Sequence, residues 1–216
     1  MKNLFLSLFA LLFLMNVNVF AENVELDVNA SLVNKSVFRG KETSDVVSVV
    51  PSVTTTLFKF VEVGVESTFP LTATNFALAE EHVFSTSLLF RGNVQVGLNN
   101  YYYPDDTPKF LSKKAHSLEP FVEVLYGGTS LYGAVGLNNG LKESVYLQLS
   151  QVLSAQYNQG VVVWVGVGNR VYTNNPVSDE FDLVNLGAKV YKNRFEVSYI
   201  LNPNTEISHL VFGVNF

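Results

Sequence analysis

The stretch Arg194-Phe195-Glu196-Val197-Ser198-Tyr199-Ile200-Leu201 places an apolar side chain at every second position from Phe195 onward. Successive side chains of a β-strand point to opposite faces, so this spacing predicts a strand with one apolar face. The same period of two recurs at 24–32, 61–66, 93–99 and 144–150, whereas helical spacing is nearly missing. The chain is therefore predicted to be all-β.

The composition restricts where the apolar faces can be buried. Hydrophobic residues make up 48% of the chain and charged residues only 15%, against about 25% charged residues in ordinary soluble domains. Beyond the first residues, no apolar run reaches the length of about 18 residues that a membrane helix needs. The apolar faces must therefore contact either a second sheet in a soluble sandwich or the lipid around a barrel.

The first residues are typical of a cleaved secretory signal. Lys2 supplies the positive charge, Leu4 to Met15 form a short apolar region, and Val19-Phe20-Ala21 fits a cleavage site. Removal of residues 1–21 leaves one predicted domain, residues 22–216. Its formal charge is 13 − 19 = −6, counted after the removal of Lys2, which argues against nucleic acid as a partner. The chain has no cysteine, so disulfides, thiol chemistry and a lipoprotein anchor are excluded.

About twelve strands are predicted, with ten as the alternative. They are placed at 24–38, 46–57, 60–69, 83–91, 93–103, 117–126, 130–138, 143–153, 161–170, 181–191, 194–202 and 206–216. The longer connections are 40–45, 70–82, 104–116, 139–142, 171–180 and 203–205, and the shorter ones centre on 58–59, 91–92, 127–128, 155–160 and 192–193. Strands of about ten residues, with long loops at one end and tight turns at the other, are typical of a transmembrane antiparallel up-and-down β-barrel with periplasmic termini.

Aromatic residues near the predicted strand ends favour the barrel over the sandwich, because such residues suit the membrane–water interfaces. They are Phe69, Phe84, Tyr101, Tyr102, Tyr103, Tyr172 and Phe181 at the loop side, and Phe58, Phe60, Phe90, Tyr126, Tyr191, Phe195 and Phe216 at the turn side. The last strand alternates Leu210, Phe212, Val214 and Phe216 outward. A last strand that ends on an aromatic residue resembles the signal that outer-membrane barrels present to the barrel assembly machinery.

Two short motifs resemble the TorF-like porin family of small outer-membrane β-barrels. Asn34-Lys35-Ser36-Val37-Phe38-Arg39-Gly40 contains an aromatic-Arg-Gly step near the end of the first strand, and Glu143-Ser144-Val145-Tyr146-Leu147 resembles an acidic-x-x-Tyr stretch. The resemblance implies a channel-like barrel in the bacterial outer membrane, with an undefined solute. It supplies no catalytic residues.

A barrel in lipid is expected to turn its charged side chains into the lumen, since Lys or Arg facing lipid at mid-depth costs about 2–4 kcal/mol. The predicted lumen-lining residues are Glu25, Asp27, Lys35, Arg39, Glu62, Glu66, Glu119, Glu123, Lys189, Arg194, Glu196 and His209. These charges either line a water path or form salt-bridged plugs, and the pattern leaves both interpretations open. The acidic surplus favours cations if a path exists.

Arg39 is placed at the outer end of strand one, where it is a candidate ligand for a lipopolysaccharide phosphate or a solute anion. The acidic pairs Glu80-Glu81, Asp105-Asp106 and Asp179-Glu180 lack the spacing of a calcium loop and are interpreted as solvated loop charge. His82 and His116 are the candidate bases of a hydrolase, but their spacing gives no support to a catalytic site.

The predicted function is passive diffusion of ions or small solutes through a narrow, porin-like barrel in the outer membrane, without enzymatic activity, cofactor or metal. The expected partners are outer-membrane lipid and lipopolysaccharide, the barrel assembly machinery, and small solutes or ions. The first alternative is a closed structural or surface-binding barrel that acts through its outer loops, and the remote alternative is an outer-membrane hydrolase.

Overall fold

A computed structural model describes residues 24–71, 80–104, 110 and 112–216. The predicted export signal, residues 1–21, and the pair Asp105-Asp106 lie outside these residues. The strands of the described residues are β1 Val24–Val33, β2 Ser36–Phe38, β3 Lys41–Ser44, β4 Ser48–Leu57, β5 Val61–Pro70, β6 Glu81–Phe90, β7 Val94–Tyr102, β8 His116–Tyr126, β9 Thr129–Val135, β10 Val145–Gln156, β11 Gln159–Gly168, β12 Asp182–Lys192, β13 Phe195–Asn202 and β14 Ile207–Asn215. Single 3-10 turns occupy Lys113–Ala115, Asn139–Leu141 and Arg170–Tyr172.

Twelve of these strands, β1 and β4 to β14, form one closed antiparallel barrel in chain order. The predicted fold class and strand number are confirmed. The barrel closes where β1 pairs with β14 through Ser31↔Asn215, Leu32↔Val214 and Val33↔Gly213. Asn34 extends this seam, because its amide oxygen accepts a hydrogen bond from the Phe212 backbone N–H at 2.7 Å.

The two ends of the barrel differ in their connections. At one end, here called the turn end, two or three residues join β4 to β5, β6 to β7, β8 to β9, β10 to β11 and β12 to β13. The longer connections lie at the opposite end, here called the loop end. The chain enters β1 and leaves β14 at the turn end. This asymmetry agrees with the predicted arrangement.

The prediction is wrong at the end of the first strand. Residues 24–38 were expected to form one strand and 40–45 a loop, but β1 ends at Val33 and residues 36–44 form a separate hairpin of β2 and β3. Arg39 and Gly40 turn the chain with φ of 51° and 83°. Strict alternation ends at Leu32, because Val33 follows Leu32 and Phe38 follows Val37, so the pattern does not show that residues 36–38 form a separate strand.

The predicted turn at 155–160 is also wrong, because β10 and β11 extend to Gln156 and Gln159. Only Tyr157 and Asn158 remain between the two strands. The register shifts between Val152 and Ser154. Such a bulge inserts one extra residue and interrupts the alternation of side chains, which explains why the pattern of the sequence ends early.

The outer face of the barrel is apolar and the inner face is polar. On β13, Val197 and Tyr199 are 40% and 52% exposed, while Ser198 between them is 8% exposed. On β14, Leu210 and Phe212 are exposed on either side of inward-facing Val211, and His209 is buried. The exposed large apolar side chains of the barrel strands therefore lie mainly on the outer face, as the alternation predicted.

Exposed aromatic side chains surround the turn end. They are Phe58, Phe60, Phe90, Tyr126, Tyr157, Phe195 and Phe216. Tyr191 is not one of them, because it pairs with Gly160 and shares the inward face of its neighbour Glu196. At the loop end, Phe69 and Phe181 are exposed, but Tyr101 and Tyr172 are buried inside the barrel. Tyr101, Tyr172 and Tyr191 therefore do not belong to the aromatic bands in which they were predicted.

In the part of the chain that is described, no helix has the length and apolar character needed to cross a membrane.

Candidate functional site: the lumen and its inner hairpin

The hairpin formed by β2 and β3, residues 36–44, folds into the barrel instead of extending from it. We call it the inner hairpin. Among the described ladders, β2 and β3 pair only with each other. Gly40 at the tip lies against the backbone of β12, and a Cβ at this position would stand 2.0 Å from the carbonyl oxygen of Val184. Only glycine fits this close approach at a positive φ.

Arg39, beside Gly40, forms a buried ion pair with Glu119 on β8. The two guanidinium nitrogens Nη1 and Nη2 lie 2.5 and 2.7 Å from the two carboxylate oxygens. The Arg39 side chain is 8% exposed and that of Glu119 is fully buried. This two-pronged geometry is the strongest form of arginine–carboxylate pairing.

Aromatic side chains enclose the guanidinium. Its central carbon lies 4.4 Å from the ring centre of Tyr146, 4.6 Å from Phe38, 5.1 Å from Tyr172 and 5.4 Å from Tyr132. Rings at these distances attract a cation through their quadrupoles. Burial disfavours the charged guanidinium, but the hydrogen bonds to Glu119 and the electrostatic attraction of Tyr172, Glu119 and Tyr101 together outweigh that effect and raise the pKa of Arg39 above its ordinary value.

Hydroxyl and amide groups complete the surroundings of Glu119. The hydroxyls of Tyr101, Tyr132 and Tyr172 donate to its oxygens at 3.0, 3.2 and 3.1 Å, and the Asn99 amide donates at 3.4 Å. A buried carboxylate is stable only when paired and hydrogen-bonded in this way. We call Glu119, Tyr101 and the rings around Arg39 the cage.

Two further contacts position the inner hairpin. Lys41 Nζ donates to the carbonyl oxygens of Val171 and Thr173 at 2.5 and 2.8 Å. Glu42 lies 2.6 Å from Lys35 Nζ and 3.2 Å from His209 Nδ1. The hydrogen bond from Lys35 lowers the pKa of Glu42, and burial lowers the pKa of Lys41.

The opposite wall of the lumen remains open. Pairing places Asn29 beside Ser52, and Ser52 beside Glu66, on the inward face of β1, β4 and β5. Asn29, Glu66 and inward-facing Asp27 are nevertheless exposed. The space beside this wall is therefore accessible to water, although the inner hairpin fills the side next to β8 to β12.

A cavity of about 450 Å³ opens at the turn end. Its inner lining includes Glu123, Ser130, Gln148 and Ser150, and it reaches up to Tyr132 of the cage. Glu123 accepts a hydrogen bond from the Ser130 hydroxyl. The cavity thus extends from the turn end to the underside of the cage.

Most predicted lumen-lining residues lie on the inner face. Glu25, Asp27, Glu62, Glu66, Glu119, Glu123, Lys189, Glu196 and His209 occupy inward positions of their strands. Lys189 and Glu196 approach to 3.7 Å, and Glu62 accepts a hydrogen bond from Gln95 at 2.9 Å. Lys35 lies at the base of the inner hairpin.

Two of the predicted positions need correction. Arg194 is an exposed residue of the turn between β12 and β13 and does not line the lumen. Arg39 does not face the exterior as a ligand for lipopolysaccharide, because Glu119 already holds its guanidinium inside the barrel. The outward orientation of Leu210, Phe212 and Phe216 agrees with the predicted last strand, and their role in assembly stays a prediction.

The cage tyrosines were missed as site residues. Tyr132 and Tyr146 lie between apolar or small outward residues, which is the signal that places them inside, whereas Tyr101 lies between Asn100 and Tyr102 and carries no such signal. Tyr172 lies in the 3-10 turn Arg170–Tyr172, where no alternation exists to indicate its orientation.

Comparisons with known protein families, with curated proteins and with solved structures found no match. The fold and the site by themselves define the class: a closed twelve-stranded barrel with an apolar exterior, a polar lumen and an inward-folded hairpin. No particular family is shown, and membership of the TorF-like porins stays a prediction.

Proposed function

We propose that the protein is a narrow, porin-like barrel of the bacterial outer membrane that allows passive diffusion of ions or small solutes. The observation that carries this proposal is the exposure of Asp27, Asn29 and Glu66 on the inward face of β1 and β5. In a barrel filled by side chains, Glu66 at least would be buried, because paired strands flank it on both sides. Their exposure indicates water beside this wall, which a diffusion pathway requires.

The exterior supports a location in lipid. Apolar residues such as Leu26, Val96 and Leu149 are 64%, 44% and 47% exposed on the outer face. A continuous apolar exterior of this extent is unfavourable in water. The exposed aromatic band at the turn end suits a membrane interface. Together with the predicted export signal, these features favour the outer membrane, with lipopolysaccharide and the barrel assembly machinery as partners.

The open wall is acidic, which favours cations over anions. Glu25, Asp27, Glu62 and Glu66 all lie on the inward faces of β1 and β5, and no lysine or arginine occupies these two strands. Carboxylates lining a narrow pore raise the local concentration of cations.

Planar-bilayer recording of the refolded protein tests the proposal. We expect small discrete current steps that scale with salt, and a reversal potential on the cation side in a KCl gradient. Folding of the protein is verified by its altered electrophoretic mobility before boiling. If the folded protein gives no current at high concentration, diffusion through the lumen is refuted.

The second candidate is a closed barrel that acts through its loops, and the buried inner hairpin is the observation that favours it. Silence in the bilayer supports this candidate directly.

We propose that neither candidate is enzymatic. The rings of His82 and His116 stack on Tyr102, with centres 5.8 and 5.4 Å from the centre of the tyrosine ring, on the outward face of the wall. Loss of lipid or peptide hydrolysis on replacing both histidines with alanine would contradict this.

A further inference from the structure

The position of the inner hairpin depends on side-chain contacts. It joins the barrel wall through residues 34–35 at one end and 45–47 at the other, and neither of its strands adds to a wall ladder among the described residues. A two-stranded hairpin is at best marginally stable by itself. Contacts between the hairpin and the lumen wall must therefore keep it in place.

The strongest contacts between the inner hairpin and the wall are those at its tip. Arg39 and Glu119 are almost completely buried and form two charge-assisted hydrogen bonds. By contrast, the pair of Lys35 and Glu42 at the base has side chains that are 25% and 33% exposed. Solvent-exposed ion pairs contribute little. The tip therefore decides whether the inner hairpin stays across the lumen.

The tip also connects two parts of the barrel that are far apart in sequence. Arg39 and Glu119 are separated by 80 positions, and Glu119 lies on β8, whereas the hairpin emerges between β1 and β4. The hairpin thus crosses the outer half of the lumen and leaves the open acidic wall as the remaining passage.

We infer that the Arg39–Glu119 pair is a latch that holds the inner hairpin across the lumen and thereby sets the width of the passage, an inference that rests on the proposed function. Arg39 is a positioning residue in this scheme. Without its guanidinium, Glu119 is a buried carboxylate with no counter-charge, so water enters the cage and the tip detaches. The passage then widens whenever the hairpin leaves the wall.

The cage also predicts which small molecule restores the latch. Its carboxylate accepts two parallel N–H donors, and its rings lie around a planar cation. A free guanidinium ion has this shape and charge, whereas sodium does not. Methylguanidinium is therefore expected to occupy the cage that Arg39→Ala empties, to neutralise Glu119, and to hold the tip through the ring of Phe38, which belongs to the hairpin.

Single-channel recording of Arg39→Ala tests the latch, with Arg194→Ala as the matched control that removes an exposed arginine. We expect Arg39→Ala to fluctuate between the wild-type level and a level about twofold or more higher. Millimolar methylguanidinium should suppress the higher level, and the same concentration of NaCl should not. Glu119→Gln should fluctuate as well, but without any response to methylguanidinium. Arg194→Ala should match the wild type.

A hairpin-free barrel separates failure of the latch from failure of the proposed function. Residues 35–46 are replaced by a four-residue Gly-Ser linker, since Val33 and Ser48 already pair at the loop end. This variant should conduct steadily at the higher level. If it folds but stays silent, diffusion through the lumen is refuted. If it conducts at the higher level while Arg39→Ala keeps the steady wild-type level, the latch is refuted and the channel is retained. Suppression of the higher level by NaCl as well would also refute the latch.

Discussion

The depth dependence of a charged substitution on the outer face gives the sharpest test of the membrane location. Val122 lies near the middle of β8 and is 44% exposed, and Tyr126 ends the same strand and is 83% exposed. We expect Val122→Arg to destabilise the folded barrel in lipid and Tyr126→Arg to have little effect, because only the first places a charge at the depth of the hydrocarbon.

The expected magnitudes follow from the position of each residue along the strand. Four residues at about 3.4 Å each separate the two sites by about 14 Å along β8, which corresponds to about 10 Å of depth for a strand tilted by about 40°. An arginine costs about 2–4 kcal/mol at the midplane and about 0–1 kcal/mol near the interface. The equilibrium constant for folding should therefore fall about 30- to 700-fold for Val122→Arg, at about 1.4 kcal/mol per factor of ten.

Reversible unfolding by guanidinium chloride in phospholipid vesicles measures these costs, with the fluorescence of Trp164, the single tryptophan, as the signal. Surface substitutions of a water-soluble protein change stability by only about ±0.5 kcal/mol. A cost below that limit for Val122→Arg, or equal costs at the two sites, would show that the apolar exterior does not face lipid. Folding of the wild type in water without lipid or detergent would lead to the same conclusion.

Three further outcomes are expected. Gly187→Ala should destabilise the barrel by about 1–3 kcal/mol through overpacking and shift the Trp164 emission, because the new Cβ would lie 2.0 Å from the indole ring. Thermal unfolding measures the loss of stability and the fluorescence spectrum measures the shift. An unchanged melting temperature would contradict the close packing of Gly187 against Trp164. Asp27→Asn combined with Glu66→Gln should move the reversal potential in a KCl gradient toward zero. Asp179→Asn, which changes an exposed loop residue, should leave it unchanged. Equal shifts for the double variant and the loop variant would show that the acidic wall does not set the selectivity. The hydrogen bond from Lys35 lowers the pKa of Glu42. The stabilising effect of this contact is therefore complete above pH 4.5 and is lost as the pH falls through the lowered pKa. Below that pKa, hydrogen exchange of the hairpin amides should accelerate relative to Glu42→Gln, and identical pH profiles of the two proteins would exclude this contact.

The barrel itself was accessible to sequence reasoning because the cause is local. Each strand needs an apolar face toward the surroundings and a polar face toward the lumen, and alternation records both. The strand ends were less accessible. At the bulge between Val152 and Ser154, alternation stops although the strand continues. At Ser36–Phe38, a strand forms off the wall although the adjacent apolar residues Val37 and Phe38 give no alternation that would indicate it.

The cage shows the same limit for the site. Glu119 and Tyr132 could be assigned to the lumen from their spacing, but no pattern relates Arg39 to Glu119. Their contact requires the turn at Arg39 and Gly40 and the close approach to Val184. These are properties of the packed barrel and not of any one segment.

The order of apolar and polar side chains along the chain therefore determined the number of barrel strands and the face of most side chains within them, since a period of two is a property of extended backbone alone. Only the tertiary structure decided that residues 36–44 fold inward and that Arg39 is held by Glu119. The reason is that a guanidinium finds its carboxylate through the closure of the barrel, which brings together positions that the chain keeps 80 residues apart.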